Sequence, residues 1–181
     1  MQVEPTAIPD LLLIKPKVFG DSRGYFQETY EVERYAQHGI GPFVQDNLSR
    51  SAYGVLRGLH YQYPHPQGKL VYVIEGEVWD VAVDVRRGSP TFGQSVGALL
   101  SADNHHQLWL PEGFAHGFSV LSEHAIFAYK CTAPYHPEYE HSIRYDDPAL
   151  HIDWHLTKPL LSTKDQQAPL LADVPITKLP E

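Results

Sequence analysis

A cation and an imidazole interrupt an otherwise apolar stretch in the first half of the chain. Residues 54–62 read Gly-Val-Leu-Arg-Gly-Leu-His-Tyr-Gln, with Arg57 and His60 among apolar side chains and glycines at positions 54 and 58. A buried charge without a partner is costly, and a glycine within a strand often marks a bulge or a close approach to the backbone. We therefore expect Arg57 and His60 to face a cavity rather than a packed core.

A second histidine, His116, follows a turn in the segment 111–118, which reads Pro-Glu-Gly-Phe-Ala-His-Gly-Phe. The spacing Pro-x-Gly-x-x-His matches the second half of the cupin signature, a turn that delivers a histidine into a small β-barrel. In the alternative interpretation, His116 only satisfies a backbone carbonyl. The phenylalanines and glycines around it are typical of a pocket lining, so we favour the cavity.

The first half of that signature, which supplies a metal site, is altered here. It would read His-x-His with a glutamate a few residues later, but this chain has His60-Tyr61-Gln62 followed by Lys69. Glutamine is a poor metal ligand, and a lysine ammonium repels a cation. We therefore expect no metal and no cofactor. We expect His65, in a proline-rich loop, to be solvated.

A cavity with histidine, lysine and arginine but no metal suits an anionic ligand or carbanion chemistry beside a carbonyl. A neutral histidine would take the proton, and a cation would stabilise the enolate. If the reaction inverts a stereocentre, a separate acid must stand on the opposite face. Tyr129 and Tyr135 are candidate donors, although a strand tyrosine is more often core or rim packing.

The elements that must position these residues are mainly β-strands. Fifteen prolines, thirteen glycines and eleven tyrosines indicate many turns and β-structure. One short helix is predicted from Glu31 to His38, where Gly39 ends it. Segments 70–74 and 78–85 are predicted to pair as a hairpin through Glu75-Gly76-Glu77. Further strands are predicted at 92–100, 106–110, 114–121 and 126–130.

Strands at this close spacing favour a sandwich or barrel. The tail from Asp146 is rich in proline but carries Trp154, Leu156, Leu160 and Leu161, so we expect it to pack back over the β-structure. No repeat, low-complexity run or linker interrupts the chain. We therefore predict one domain, residues 1–181.

Composition limits the classes of partner. The chain has 22 acidic and 14 basic residues and a formal charge of −8, which does not suit general binding of nucleic acid. Its longest apolar runs are too short to span a membrane. A single cysteine, Cys131, cannot form an intrachain disulfide. The first residues lack a basic region followed by an apolar run, and we expect a cytoplasmic protein.

At these residues the chain resembles a known family, the dTDP-4-dehydrorhamnose 3,5-epimerases of deoxysugar biosynthesis. The likeness runs nearly end to end and rests on several ordered motifs. They are Val18–Gly24, Gln45–Ser49, Gly54–Gln62, Gln67–Val71, Asp80–Arg86, Gly88–Gly93, Pro111–Phe118, Tyr129-Lys130, Asp146–Pro148 and Leu161–Asp165.

The resemblance implies a cupin-type jelly roll, active as a homodimer without a metal. It implies epimerisation at C3 and C5 of dTDP-4-dehydro-6-deoxy-D-glucose, giving dTDP-4-dehydro-L-rhamnose. His60 matches the general base and Asp165 its carboxylate partner. Tyr129 matches the proton donor on the other face, and Lys69 the residue that steadies the enolate at the C4 oxygen.

The resemblance also implies a set of residues that hold the dTDP-sugar. Tyr135 falls where the family places an aromatic that stacks on thymine. The other members of the set are Phe19, Arg23, Phe26, Glu28, Gln45, Asn47, Arg57, His116, Glu140 and Lys164.

Some positions depart from the family pattern. The segment 132–136 reads Thr-Ala-Pro-Tyr-His, whereas many relatives carry an acidic residue and then aromatics, and Pro134 could reshape the loop that bears Tyr135. Alternatives therefore stay open: a 3- or 5-monoepimerase of a related dTDP-4-keto sugar, a ketoisomerase, a metal-dependent cupin oxygenase, or a sugar-nucleotide-binding cupin without turnover.

Overall fold

The computed structural model describes residues 1–181, which form thirteen β-strands and two short α-helices. The helices are α1 (Val32–Ala36) and α2 (Thr163–Gln166), and short 3-10 turns lie at Pro137–Tyr139, Leu171–Asp173 and Ile176–Lys178. The strands are β1 (Gln2–Pro5), β2 (Leu12–Lys15), β3 (Val18–Asp21), β4 (Gly24–Gln27), β5 (Gln45–Ala52), β6 (Leu56–Gln62), β7 (Lys69–Glu75), β8 (Glu77–Asp84), β9 (Ser95–Ser101), β10 (Gln107–Leu110), β11 (Phe114–Val120), β12 (His124–Cys131) and β13 (Glu140–Ser142).

The strands form two facing antiparallel sheets. A six-stranded sheet has the order β1-β2-β10-β7-β12-β5, and a five-stranded sheet has the order β13-β6-β11-β8-β9. Strands β3 and β4 form a separate two-stranded ribbon. This confirms the predicted class: a mainly β jelly roll of the cupin type with short helices.

Strand β8 shows how the sequence pattern builds the layers. Its side chains alternate between the two faces of the sheet, as strand geometry requires. Val78 and Ala82 join the core between the two sheets. Val81 and Val83 face outward, yet they are fully buried because other residues cover that face. The strand therefore buries apolar side chains on both faces, together with Asp80 and Asp84.

The C-terminal tail provides that cover. Trp154, Leu171 and Leu179 belong to the same apolar cluster as the outward side chains of β8. The Trp154 indole N–H donates to the Tyr145 carbonyl, 2.8 Å away, and Leu160 forms a bridge with Val55. The prediction that the tail packs back over the β-structure is confirmed. No helix of the chain has the length and apolar composition needed to cross a membrane.

The predicted hairpin of segments 70–74 and 78–85 is wrong. Strand β7 pairs with β10 and β12, whereas β8 pairs with β9 and β11 in the other sheet. Gly76 between them has φ +82°, and a Cβ there would lie 2.1 Å from the His124 carbonyl oxygen. The same short turn can close a hairpin or lead from one sheet to the other. Here each strand buries its inner apolar face against the opposite sheet.

The predicted helix is present but shorter than residues 31–38. The Glu31 carboxylate caps α1 by accepting from the backbone N–H groups of Glu33 and Arg34. After Ala36 the chain turns, and Gly39 lies at φ +73°, a conformation that favours glycine. The glycine stop is therefore confirmed, with the helix ending a little before it.

Candidate active site

A cavity of about 370 Å³ opens between the two sheets, and polar side chains from both sheets line it. Nine of the predicted site residues belong to its wall: Gln45, Asn47, Arg57, His60, Lys69, His116, Tyr129, Tyr135 and Glu140. Strands β5, β7 and β12 contribute one wall, and strands β6, β11 and β13 contribute the facing wall. The prediction that Arg57 and His60 face a cavity is confirmed.

A bulge in β6 explains how Arg57 and His60 reach the same cavity. Residues three apart on a regular strand point to opposite faces. Here His60 pairs with His116 and Arg57 with Phe118, so the register shifts between the two pairs. Gly58 has φ +116°, and a Cβ on it would lie 2.5 Å from the Gly117 Cα. The backbones of β6 and β11 can approach only because both positions are glycine, and the extra residue turns both polar side chains inward.

His60 forms a short hydrogen bond with a carboxylate from the tail. Its Nε2 lies 2.6 Å from Asp165 Oδ1, and Asp165 is 2% exposed. Burial opposes ionisation of Asp165, but hydrogen bonds from His60 and from the Ser162 hydroxyl outweigh it and lower the pKa of the carboxyl. An ionised Asp165 requires the proton on His60 Nε2, which leaves the Nδ1 lone pair free to accept a proton.

Helix α2 places Asp165 outside the cavity wall, in contact with His60. The Ser162 hydroxyl caps the helix by accepting from the Asp165 backbone N–H, 3.1 Å away, and donates to Asp165 Oδ2 at 2.9 Å. One carboxylate oxygen therefore binds the cap, and the other binds His60. This contact joins the tail to the cavity wall.

The facing wall carries Lys69 and Tyr129 on the neighbouring strands β7 and β12. The Lys69 ammonium lies 5.7 Å from the centre of the Tyr129 ring. Burial lowers the pKa of Lys69, and it raises the pKa of the Tyr129 phenol. The phenol therefore stays protonated at neutral pH, beside the Lys69 ammonium. His60 and Tyr129 face each other from opposite sheets.

A second histidine–carboxylate pair lies beside the first. His116 Nε2 is 2.8 Å from Asp80 Oδ2, and Asp80 is completely buried. The other oxygen, Oδ1, has no hydrogen-bond partner. Because His116 is the cross-strand partner of His60, two imidazoles with carboxylate partners line the same wall. Sequence reasoning missed Asp80, although an acid between the inward-facing Val78 and Ala82 of β8 was a usable signal.

The predicted residues Tyr135, Glu140 and Lys164 meet at the rim of the cavity. The Tyr135 hydroxyl donates to Glu140 Oε2 at 3.1 Å, and the Lys164 ammonium forms an ion pair with the same carboxylate. Burial raises the pKa of Glu140, but the hydrogen bond from Lys164 outweighs it, so the net shift is downward. The rim thus holds a charged pair next to a half-exposed aromatic ring.

Five predicted binding residues do not line this cavity within one chain: Lys164 lies at its rim, and the other four lie elsewhere. Phe19, Phe26 and Glu28 border a separate groove of about 340 Å³. Arg23 is exposed on the β3–β4 ribbon and pairs with Asp21 at 2.5 Å. Within one chain, Phe19 and Phe26 therefore lie apart from the predicted binding residues that line the cavity. The ribbon is a sheet of its own, and the chain's pairing does not bring it to the cavity.

Several lining residues escaped sequence reasoning. They are Ser49, Tyr61, Gln62, Gln67 and Phe127, whereas Gly117 and Phe118, beside His116, belong to the expected pocket lining. The Phe118 and Phe127 rings stack at 4.2 Å between centres and form the apolar part of the wall. Ser49 could have been found from β5, where it follows Gln45 and Asn47 at every second position. No group of three or more His, Cys, Asp or Glu side chains is arranged to hold a metal ion.

The fold and the cavity define a cupin-type jelly roll that sets a histidine–carboxylate pair opposite a lysine and a tyrosine. Comparison with known proteins is consistent with that site. A family model described as dTDP-4-dehydrorhamnose 3,5-epimerase matches residues 5–173. A dTDP-4-dehydrorhamnose 3,5-epimerase from Pseudomonas aeruginosa is 57% identical over 177 residues, covering 96% of this chain and 97% of its own.

A crystal structure of the Legionella pneumophila dTDP-6-deoxy-D-glucose-3,5-epimerase, in complex with dTDP-4-keto-L-rhamnose, superposes with a TM-score of 0.97. It is 56% identical, and the match covers 99% of this chain and 97% of the other. A dTDP-4-dehydrorhamnose 3-epimerase from Streptomyces niveus is 40% identical, with 96% and 85% covered. This chain belongs to the dTDP-4-dehydrorhamnose 3,5-epimerase family.

Proposed function

We propose that this chain epimerises dTDP-4-dehydro-6-deoxy-D-glucose at C3 and C5 to give dTDP-4-dehydro-L-rhamnose. The observation that carries the proposal is the position of His60 and Tyr129 on opposite walls of one cavity, with Lys69 beside the tyrosine. A sugar ring held between the two sheets would meet a base on one face and an acid on the other. The named relatives in the family support the choice of substrate.

In this proposal the C4 ketone makes the hydrogens at C3 and C5 acidic. His60 Nδ1 takes one of them, and Asp165 stabilises the imidazolium that forms. The electron pair moves onto the C4 oxygen, where the Lys69 ammonium stabilises the enolate. Tyr129 then gives its proton to the carbon from the opposite face, which inverts the centre. To restore the starting state, His60 releases its extra proton to solvent and the Tyr129 phenolate takes one up. The second carbon follows the same steps.

The nucleotide would lie toward the rim. Arg57 lines the cavity, and its Nε donates to Ser51 Oγ at 3.0 Å. Its guanidinium can bind a diphosphate through charge-assisted hydrogen bonds. We propose that the half-exposed Tyr135 ring stacks on the thymine. Such stacking contributes about 1–3 kcal/mol. A local basic pocket would then bind an anion within a chain of net charge −8.

We propose that the protein is a homodimer, and that the partner completes the binding site. Phe19, Tyr25 and Phe26 are exposed apolar side chains on the β3–β4 ribbon. A second copy that covered this ribbon would bury them and could bring Arg23 and Glu28 of one chain to the cavity of the other. Light scattering tests the oligomeric state, and a monomer would contradict this part of the proposal.

The experiment for the reaction is deuterium wash-in at C3 and C5 of dTDP-4-dehydro-6-deoxy-D-glucose in D₂O, followed by NMR. We expect exchange at both carbons with the unaltered protein and at neither with His60→Asn. Exchange at C3 alone would favour a monoepimerase, the activity named for the Streptomyces niveus relative. Binding of dTDP without any exchange would favour a binding protein without turnover.

Three further statements belong to the proposal. The reaction needs no metal, since Gln62 and Lys69 stand where a cupin metal site would have ligands. Residues 1–181 form a single domain, because the tail completes the burial of the five-stranded sheet. The protein is cytoplasmic, where a charged nucleotide sugar that cannot readily cross a bilayer would be made and used.

A further inference from the structure

The segment 132–136, which carries Tyr135 and precedes the 3-10 turn at Pro137–Tyr139, has no regular secondary structure, yet several of its backbone polar groups are paired. Three glutamine side chains from different segments do the pairing. Gln67 Nε2 donates to the Ala133 carbonyl at 2.7 Å, and Gln62 Nε2 donates to the Pro134 carbonyl at 3.1 Å. Gln45 Oε1 accepts from the Tyr135 N–H at 2.8 Å, and Gln62 Oε1 accepts from the His136 N–H at 2.7 Å.

Gln62 is the centre of this arrangement, which we call the glutamine clamp (Gln45, Gln62 and Gln67). Its Nε2 also donates to the His65 carbonyl at 2.5 Å, so both amide hydrogens and the amide oxygen have partners. The side chain is 5% exposed. A buried amide satisfied on all sides by two loops fixes those loops relative to each other. In the cupin signature this position carries a metal-ligating histidine.

Only a neutral amide fits this pattern of partners. The loop presents two carbonyl oxygens followed by two N–H groups, and Pro134 has no N–H to contribute to a strand ladder. A glutamine side chain donates and accepts at once, whereas an ionised glutamate only accepts. A glutamate at position 62 would therefore face the carbonyl oxygens of His65 and Pro134 with no hydrogen to offer.

We propose that the glutamine clamp sets the position of the Tyr135 ring, which makes Gln62 and Gln67 positioning residues for recognition of the nucleobase. The proposal rests on the proposed function, because it takes Tyr135 as the residue that stacks on thymine. It explains how a proline-containing loop can hold an aromatic ring rigidly at the rim without strand pairing. It also assigns a role to the residue that replaces the cupin metal ligand.

The first test measures the affinity for dTDP by calorimetry in Gln62→Glu and Gln67→Glu. Loss of the Tyr135 ring in Tyr135→Ala should raise the dissociation constant by about 5- to 150-fold, the range that corresponds to one stacked base. We expect Gln62→Glu to raise it by a similar factor and Gln67→Glu, which disturbs one contact, by less. Gln94→Glu introduces the same charge at an exposed site and should leave the affinity unchanged.

A double-mutant cycle separates positioning from other effects. If the clamp acts through the Tyr135 ring, Gln62→Glu should have little further effect on dTDP affinity in a Tyr135→Ala background. An equal loss in both backgrounds would overturn the proposal, because it would show that Gln62 acts elsewhere. Unchanged affinity in Gln62→Glu would overturn it as well.

A second measurement needs no ligand and so does not depend on the proposed function. Hydrogen exchange followed by NMR should show faster exchange of the Tyr135 and His136 backbone amides in Gln62→Glu, with core amides of β8 unchanged. Unchanged exchange of the two loop amides would overturn the clamp. Failure of the unaltered protein to bind dTDP, with the exchange result as expected, would instead contradict the nucleotide assignment alone. If Gln62→Glu does not fold, the dTDP affinity and the exchange of the loop amides are measured in Gln67→Glu instead.

Discussion

Replacing Asp165 by asparagine should preserve the shape of the site while removing its charge. The Asp165 carboxylate holds the proton of His60 on Nε2 across 2.6 Å. An asparagine amide would donate to that nitrogen, which would move the ring proton to Nδ1 and block the atom that must act as the base. It would also remove the negative charge that stabilises the imidazolium.

The expected loss of rate follows from the attraction between the Asp165 carboxylate and the His60 imidazolium. Two unit charges about 4 Å apart interact by about 4 kcal/mol at the effective dielectric constant of roughly 20 that suits such sites. Loss of that stabilisation in the transition state lowers the rate about a thousandfold. The affinity for dTDP should change little, because Asp165 lies behind the histidine and not in the wall of the cavity.

The assay is the rate of deuterium wash-in at C3 under saturating substrate, with dTDP affinity measured in parallel. Asp153→Asn is the matched control, because Asp153 also faces a histidine, His155, but both side chains are exposed and the atoms lie 3.5 Å apart. It should retain the full rate. A rate for Asp165→Asn within tenfold of the unaltered protein would refute the assignment of His60 and Asp165 as the acting pair.

Three more predictions concern the remaining side chains. Tyr129→Phe should keep exchange at C3 but lose inversion, which NMR of the recovered sugar would detect; normal inversion would exclude Tyr129 as the acid. In this Tyr129→Phe variant, the rate of deuterium exchange should fall as pH rises, and the fall should begin below the ordinary lysine pKa of 10.5. The reason is that burial lowers the pKa of Lys69, so the cation is lost as pH rises. An exchange rate that stays constant through that pH range would contradict the role of Lys69. Asp80→Asn should lower turnover about 10- to 100-fold by removing the partner of His116, with dTDP affinity as the control.

A fifth prediction concerns stability. Burial opposes ionisation of Asp84, but hydrogen bonds from Arg86, Ser89 and Thr91 outweigh it and lower its pKa to about 2. Because the folded pKa lies below the unfolded value, ionised Asp84 adds about 2 kcal/mol to the free energy of unfolding above pH 4 or so, and this is lost as pH falls toward 2. Urea unfolding of Asp84→Asn should show lower stability at neutral pH and a weaker acid dependence. An unchanged acid dependence would contradict this.

Local patterns in the sequence were enough to predict strands β7 to β12, the small helix and the cavity face of β6. They depend on side-chain period and turn chemistry, which act within a few residues. The partners of β7 and β8 were predicted wrongly, because Gly76 allows a turn but does not determine whether the chain stays in one sheet. That choice is made by the burial of apolar faces across the whole sandwich.

The same distinction applies to the site. Residue types at positions 57 and 60 indicated a cavity, and the resemblance supplied Asp165 and Tyr129, which lie far away in the sequence. No local pattern could show that a bulge at Gly58 would turn both polar side chains of β6 inward. Nor could it show that glutamines from three segments would meet at one loop, because each of those contacts depends on how distant strands are arranged.

The central claim is inversion at both carbons beside the ketone within one cavity. The most direct test is NMR of the product formed from dTDP-4-dehydro-6-deoxy-D-glucose in D₂O, reading the ring stereochemistry and the deuterium at C3 and C5. We predict a product with the L-rhamnose configuration, inverted and deuterated at both positions. A product inverted at one carbon only, or a recovered substrate without deuterium, would contradict the account.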